Sequence, residues 1–151
     1  MKKLIFVSLL NISSMAFATL SNQHLQITIK NNTPSNCYLT KINNKHGRLL
    51  PGIAMDIDGP LLKTMPLKIL PGETSSPLTV VEEFSYGPQL HLTYECGEGR
   101  AITIESKQDL FRVKYGVYGK IIAATDMDAT FDISLASFWP KTSGKINWIL
   151  S

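Results

Sequence analysis

Apolar and polar residues alternate with a period of two over most of the chain, the pattern of a strand with one face buried. Leu25, Ile27 and Ile29 alternate with Gln26, Thr28 and Lys30. The clearest run comes later: Leu90, Leu92, Tyr94 and Cys96 point one way, and Gln89, His91, Thr93 and Glu95 the other. Gly97-Glu98-Gly99-Arg100 then turns the chain, and residues 101–105 return as the partner of a hairpin. Phe131, Ile133 and Leu135 alternate with Thr130, Asp132 and Ser134, and residues 146–150 form a terminal strand. Residues 37–42, 67–70 and 78–84 read as further strands, and 111–115 and 121–124 as fainter ones.

The segments between them carry turn chemistry. Asn31-Asn32-Thr33-Pro34-Ser35-Asn36 and Asn43-Asn44-Lys45-His46-Gly47 predict turns, because Asn and Gly tolerate unusual backbone angles and Pro fixes one. Residues 48–66, with Pro51-Gly52 and Gly59-Pro60, read as an irregular excursion holding at most short strands. No window carries an amphipathic helix of three turns; residues 106–110 predict a single helical turn capped by Ser106. Many short strands at intervals of about 8–12 residues predict one all-β domain, an antiparallel β-sandwich.

The first 18 residues stand apart. Met1-Lys2-Lys3 is a short positive region, residues 4–10 are apolar, and Ala16-Phe17-Ala18 places small residues before a cut at Thr19. That order predicts a secretory signal peptide over 1–18 and a mature domain over 19–151. Asn11, Ser13 and Ser14 interrupt the apolar run well short of the ~20 residues that a spanning helix needs. We expect no transmembrane segment after cleavage, and a secreted or periplasmic protein of bacterial origin.

Export changes the reading of Cys37 and Cys96, the only cysteines in the chain. In an oxidising compartment they have one intramolecular pairing open to them. A bond closing a loop of about 60 residues would stabilise the fold by roughly 4 kcal/mol on the chain-entropy model.

Charge narrows the function. The chain has 15 basic and 12 acidic side chains; without Lys2 and Lys3 the mature balance is 13 against 12, a net charge of +1. A nucleic-acid partner would call for a basic surplus, and none is present. Nucleophile elbow, Ser-x-x-Lys, phosphate-binding loop and His-Glu-x-x-His are all missing. Gly97-Glu98-Gly99 lacks the third glycine of a dinucleotide motif and suits a turn. His91 and Glu95 share a strand face, but four residues span about 13 Å, too far for direct contact. Glu82 and Glu83, as strand neighbours, point to opposite faces. Asp56-Ile57-Asp58-Gly59 and Asp126-Met127-Asp128 lack the spaced ligands and distal Glu of a helix-loop-helix calcium site. We therefore expect no catalytic residues, no metal site and no cofactor.

The remaining chemistry is aromatic and cationic. Phe138-Trp139-Pro140-Lys141 sets two large rings before a proline and a lysine, with Lys145 close behind. Residues 111–120 interleave rings with cations, including Arg112, Lys114, Tyr115 and Tyr118. Rings beside cations suit a lipid headgroup, a glycan or a protein hot spot. The competing use is simple core packing.

The Leu25-Gln26-Ile27-Thr28-Ile29-Lys30-Asn31-Asn32 strand, Ile69-Leu70-Pro71-Gly72-Glu73 and Thr130-Phe131-Asp132-Ile133 resemble the rhythm of small secreted β-sandwich proteins such as the aegerolysins. That resemblance implies a lipid-binding protein, some of its kind being components of pores. The leader and the modest tryptophan count depart from it. Leader, single disulfide and missing catalytic motifs also resemble the small exoproteins that Gram-negative bacteria release through a type II system. The expected function is that of an exported, non-enzymatic binding protein or secreted effector acting outside the cytoplasm on a lipid, glycan or host-protein surface. The alternatives are a secreted hydrolase whose site assembles only in the fold, and a structural surface subunit.

Overall fold

The computed structural model describes residues 24–50, 68–81, 87–109, 116–135 and 143–151. The leader, the acidic pairs Asp56/Asp58 and Glu82/Glu83, and the segments 111–115 and 136–142 lie outside these residues. Within them the secondary structure is strand throughout, with no helix.

Ten strands form: β1 (His24–Asn31), β2 (Cys37–His46), β3 (Arg48–Leu50), β4 (Lys68–Ile69), β5 (Leu78–Val81), β6 (Gln89–Glu95), β7 (Ala101–Gln108), β8 (Val117–Thr125), β9 (Ala129–Ser134) and β10 (Gly144–Leu150). They build two five-stranded sheets, ordered β3-β5-β1-β10-β9 and β4-β2-β6-β7-β8. Each sheet turns its apolar positions inward. Leu25, Ile27, Ile29, Ile146, Trp148 and Leu150 of the first sheet meet Leu90, Leu92, Tyr94, Ile102 and Ile104 of the second in one buried core. This is the β-sandwich that the alternation predicts. Burial pushes the Tyr94 phenol up, away from the ionised form, so a neutral ring fills its place in the core.

Three local features depart from the sequence reading. The 106–110 helical turn does not form. Ser106 continues β7 and is buried, because its hydroxyl accepts a hydrogen bond from Trp148 Nε1 at 2.9 Å and so satisfies both groups inside the core. The turn expected at 43–47 is shorter. Residues Asn43, Asn44 and His46 pair with His91, Leu90 and Gln89, and the chain bends only at Gly47, where it passes from the second sheet to the first and Asn44 Nδ2 donates to the Gly47 carbonyl at 2.6 Å. Finally, β1 and β10 run parallel, whereas every other strand pairing among the described residues is antiparallel. The first and last described strands therefore lie side by side in the middle of a sheet.

One end of the sandwich is tied together. Cys37 and Cys96 form a disulfide there, both sulfurs buried. Asn31 is fully buried beside it. Its Nδ2 donates to the Ser35 and Ile69 carbonyls at 2.8 and 2.9 Å, and its Oδ1 accepts from Thr33 N and Oγ1 at 2.9 and 2.7 Å. Gly97 and Gly99 take positive φ of 90° and 70° in the β6–β7 turn, a conformation that favours glycine. The Asp128 and Ser151 main chains exchange hydrogen bonds of 2.9 and 3.0 Å at the same end.

Candidate functional site

The opposite end is where the candidate segments attach. Asp109 N donates to the Gly116 carbonyl at 2.9 Å, closing the base of the β7–β8 connection. Gly144 opens β10 directly against that base: a Cβ there would stand 2.4 Å from Gln108 Oε1 and 2.6 Å from Val117 Cγ2. Only a residue without a side chain lets the two sheets approach so closely. The connections 110–115 and 136–142 thus spring from neighbouring points on one end of the sandwich. Leu25 pairs with Gly144, and His24 with Val81, at this same end. Arg112, Lys114, Tyr115, Phe138, Trp139 and Lys141 lie within the two connections, outside the described residues.

Tyr118 and Lys145, the remaining candidates, are described, and they part company. Tyr118 sits on the outer face of the second sheet, opposite Lys107, with 43% of its surface exposed. Its hydroxyl leans back over Gly116, where a Cβ would be 2.4 Å away. Lys145 projects from the outer face of the first sheet, between Gln26 and Ser134. These two residues belong to opposite surfaces and do not form one patch.

The outer face of the second sheet carries the polar cluster that strand alternation leaves to solvent. His91 Nε2 and Gln89 Nε2 both lie 2.7 Å from Glu105 Oε2, and Lys120 stands opposite Glu105 across the sheet. Thr93 and Thr103 share a hydrogen bond of 3.0 Å one step further along. Burial would raise the Glu105 pKa; the hydrogen bonds from Gln89 and His91, with the charges of His91 and Lys120, outweigh it and hold the carboxyl below its ordinary value. His91 and Glu95 do share a face without touching. The actual partner, Glu105, was readable from the hairpin: a turn over 97–100 sets Glu95 opposite Ala101, and counting back four and forward four brings His91 to Glu105. The described residues hold no group of three or more His, Cys, Asp or Glu side chains able to bind a metal ion.

The lowered Glu105 pKa has a consequence for stability. A carboxyl whose folded pKa lies below its unfolded value stabilises the fold above that unfolded value, and the contribution disappears as pH falls through the folded pKa. Glu105→Gln should therefore melt at a lower temperature than the parent at pH 7. The gap should close as pH drops below the ordinary glutamate value of 4.5. Paired thermal melts at pH 7 and pH 3 check this, and a gap that persists at pH 3 would remove the charge from the explanation.

A second surface was not visible in the sequence. Phe131, Ile133 and Leu135, with Ile122 on β8, are large apolar side chains left exposed where β9 and β8 form the open edges of the two sheets.

The fold is that of a small two-sheet β protein, here with one end tied by a disulfide. Among solved structures it is similar to IP-1A from Alcaligenes faecalis, with a TM-score of 0.52 and 12% identity over 85% of this chain and 89% of that one. It is similar as well to the lipid binding protein Nakanori (TM-score 0.59, 8% identity, 85% and 71% covered). RahU, solved with a TRIS molecule, is a third (TM-score 0.51, 10% identity, 85% and 94% covered). At such identities the likeness is one of fold. No protein-family model and no curated protein matches the sequence.

The formed disulfide fits an extracellular or periplasmic setting. Among the described residues, no helix is long and apolar enough to cross a membrane.

Proposed function

We propose that this is an exported, non-enzymatic binding protein that docks on an anionic lipid surface through the end of the sandwich opposite the disulfide. The observation that supports the reading is that Asp109, Gly116 and Gly144, which flank the 110–115 and 136–142 segments, lie close together at that end. We assign Phe138, Trp139, Lys141, Arg112, Lys114 and Tyr115 to one contact surface there. Trp and Tyr suit a boundary between apolar and wet regions, and the cations complement phosphate headgroups. Pro140 removes an amide donor and discourages central pairing of its neighbours. A neighbour of the same fold that binds lipid, and the resemblance to the aegerolysins, both favour lipid over a glycan or a host protein. Tyr118 and Lys145 flank this end on opposite faces and serve as peripheral contacts. We read His91–Glu105 as a structural tie between β6 and β7, because one carboxylate oxygen is already engaged by two neighbours on the outer face of a sheet.

Trp139→Ala tests the proposal. The change should leave stability within about 0.5 kcal/mol, as surface substitutions usually do. It should weaken adsorption to anionic liposomes by about tenfold, equivalent to about 1.4 kcal/mol. Lost stability with unchanged adsorption would make Trp139 a core residue and overturn the reading. Unchanged liposome binding beside lost polysaccharide binding would move the ligand from lipid to glycan. Fractionation of producing cells tests export: a cytoplasmic product still carrying residues 1–18 would end it.

A further inference from the structure

We propose that the free edge of β9 is a self-association surface, on which a second copy of this chain adds its own β9 antiparallel and extends the first sheet across a two-fold axis. The two sheets have four edge strands among the described residues: β3, β9, β4 and β8. β4 has two residues, β3 has three and includes Arg48, and β8 carries an irregularity between its pairings with Thr103 and Ile104, with Lys120 beside it. Short length, charge and bulges are the devices that keep an edge from pairing with another chain. β9 is longer than β3 and β4, pairs with β10 without a register shift, and has no Pro, Gly or Lys; its single charge, Asp132, lies on the outer face rather than toward the core.

The hydrogen-bond phase shows what this edge offers. Asp128 and Ser151 exchange both main-chain bonds, and the pairs of an antiparallel ladder alternate from there. Asp132 and Ser134 are therefore bonded to β10, while Phe131 and Ile133 direct their N–H and C=O groups away from it, toward the open edge. The same residues carry the exposed apolar side chains: Phe131 is 40% exposed, Ile133 45% and Leu135 52%. Backbone groups with no strand partner among the described residues and exposed apolar side chains thus coincide on one strand.

The strand is also self-complementary when centred on Ile133. Pairing centred on Ile133 sets Ile133 against its own copy, Phe131 against Leu135, and Asp132 against Ser134. Pairing centred on Asp132 would set two carboxylates face to face, which is unfavourable for directly opposed residues. Charge disfavours the Asp132-centred register; the Ile133-centred one lets Ile133 exchange hydrogen bonds with its copy and sets all three exposed apolar residues, Phe131, Ile133 and Leu135, against one another.

Sedimentation velocity on the purified, disulfide-bonded protein, from micromolar to sub-millimolar concentration, should show a reversible dimer. Ile133→Lys should abolish it while leaving the far-ultraviolet circular dichroism unchanged. The register has its own test at Ser134, which is exposed and faces away from the core. Ser134→Lys places an ammonium opposite each Asp132 and should tighten the dimer by about tenfold, and Ser134→Asp should loosen it by a similar factor. A protein that stays monomeric throughout the range, or a dimer indifferent to all three substitutions, would overturn the proposal. Inverted effects of the two Ser134 variants would overturn the register.

Discussion

Trp148→Ala should destabilise the protein by about 3–5 kcal/mol, the range for truncating a large buried aromatic. Trp148 is fully buried on β10, near the middle of the core. Its ring packs against Phe131 with centroids 4.6 Å apart. Gly119 of β8 lies over it so closely that a Cβ there would come within 2.8 Å of Trp148 Cζ2 and Ile146 Cδ1. Removing the indole would leave a void that strands on both sides are too constrained to fill. It would also strip the buried Ser106 hydroxyl of its donor, a second cost of about 1 kcal/mol or more. Trp148→Phe separates the two effects, since it keeps most of the packing and loses only the N–H. Urea unfolding of both variants should place Phe between the parent and Ala. A loss below about 1 kcal/mol for Ala would mean that the two sheets close over the gap, against the close packing usual in protein interiors.

The same tryptophan shows what the sequence could and could not reveal. Period-two alternation marked β1, β6 and β9 and their two faces, because a strand writes its burial directly into every second residue; β10 was legible as a terminal strand. The β6–β7 hairpin was equally plain, its turn and both strands being contiguous. What stayed hidden were pairings between distant segments. Nothing near Ser106 announces that a residue 42 positions away donates to its hydroxyl, so a polar residue followed by Lys107 and Gln108 read as a helix cap rather than as buried strand. The parallel meeting of β1 and β10 is hidden for the same reason. In β2, the extra residue between Leu39 and Lys41 shifts the inward face, so Leu39 and Ile42 are both buried and the simple alternation breaks.

Of the candidate contact residues, only Tyr118 and Lys145 fall among the described residues, and their placement was not legible: strand parity sends them to opposite outer faces. Phe131, Ile133 and Leu135 gave a clean alternating signal, and alternation reports which face a side chain is on, not whether a neighbouring sheet reaches far enough to cover it.

Breaking the Cys37–Cys96 bond should lower stability by about 2–5 kcal/mol. Cys37 opens β2 and Cys96 follows β6, and the pairing of Tyr38 with Glu95 brings them opposite each other. The bond closes a sequence separation of 59 residues, for which the chain-entropy model assigns roughly 4 kcal/mol through restriction of the unfolded chain. Native packing adds to this. Both cysteines are fully buried, and Thr33 Oγ1 lies 3.7 Å from Cys37 Sγ, so the bond abuts the Asn31 network that holds β4 and the β1–β2 turn. Cys96→Ser therefore loses the cross-link and leaves a hydroxyl and a thiol in an apolar site. The Cys37→Ala, Cys96→Ala pair loses the cross-link without burying a hydroxyl, and it should be the less damaging of the two. Reduction with alkylation under denaturing conditions should first show two thiols where the native protein shows none. Chemical unfolding of the parent and both variants then measures the cost. A double-alanine variant within about 1 kcal/mol of the parent would mean that the hydrogen bonds of Asn31 and the β2–β6 ladder hold this end without the covalent bond.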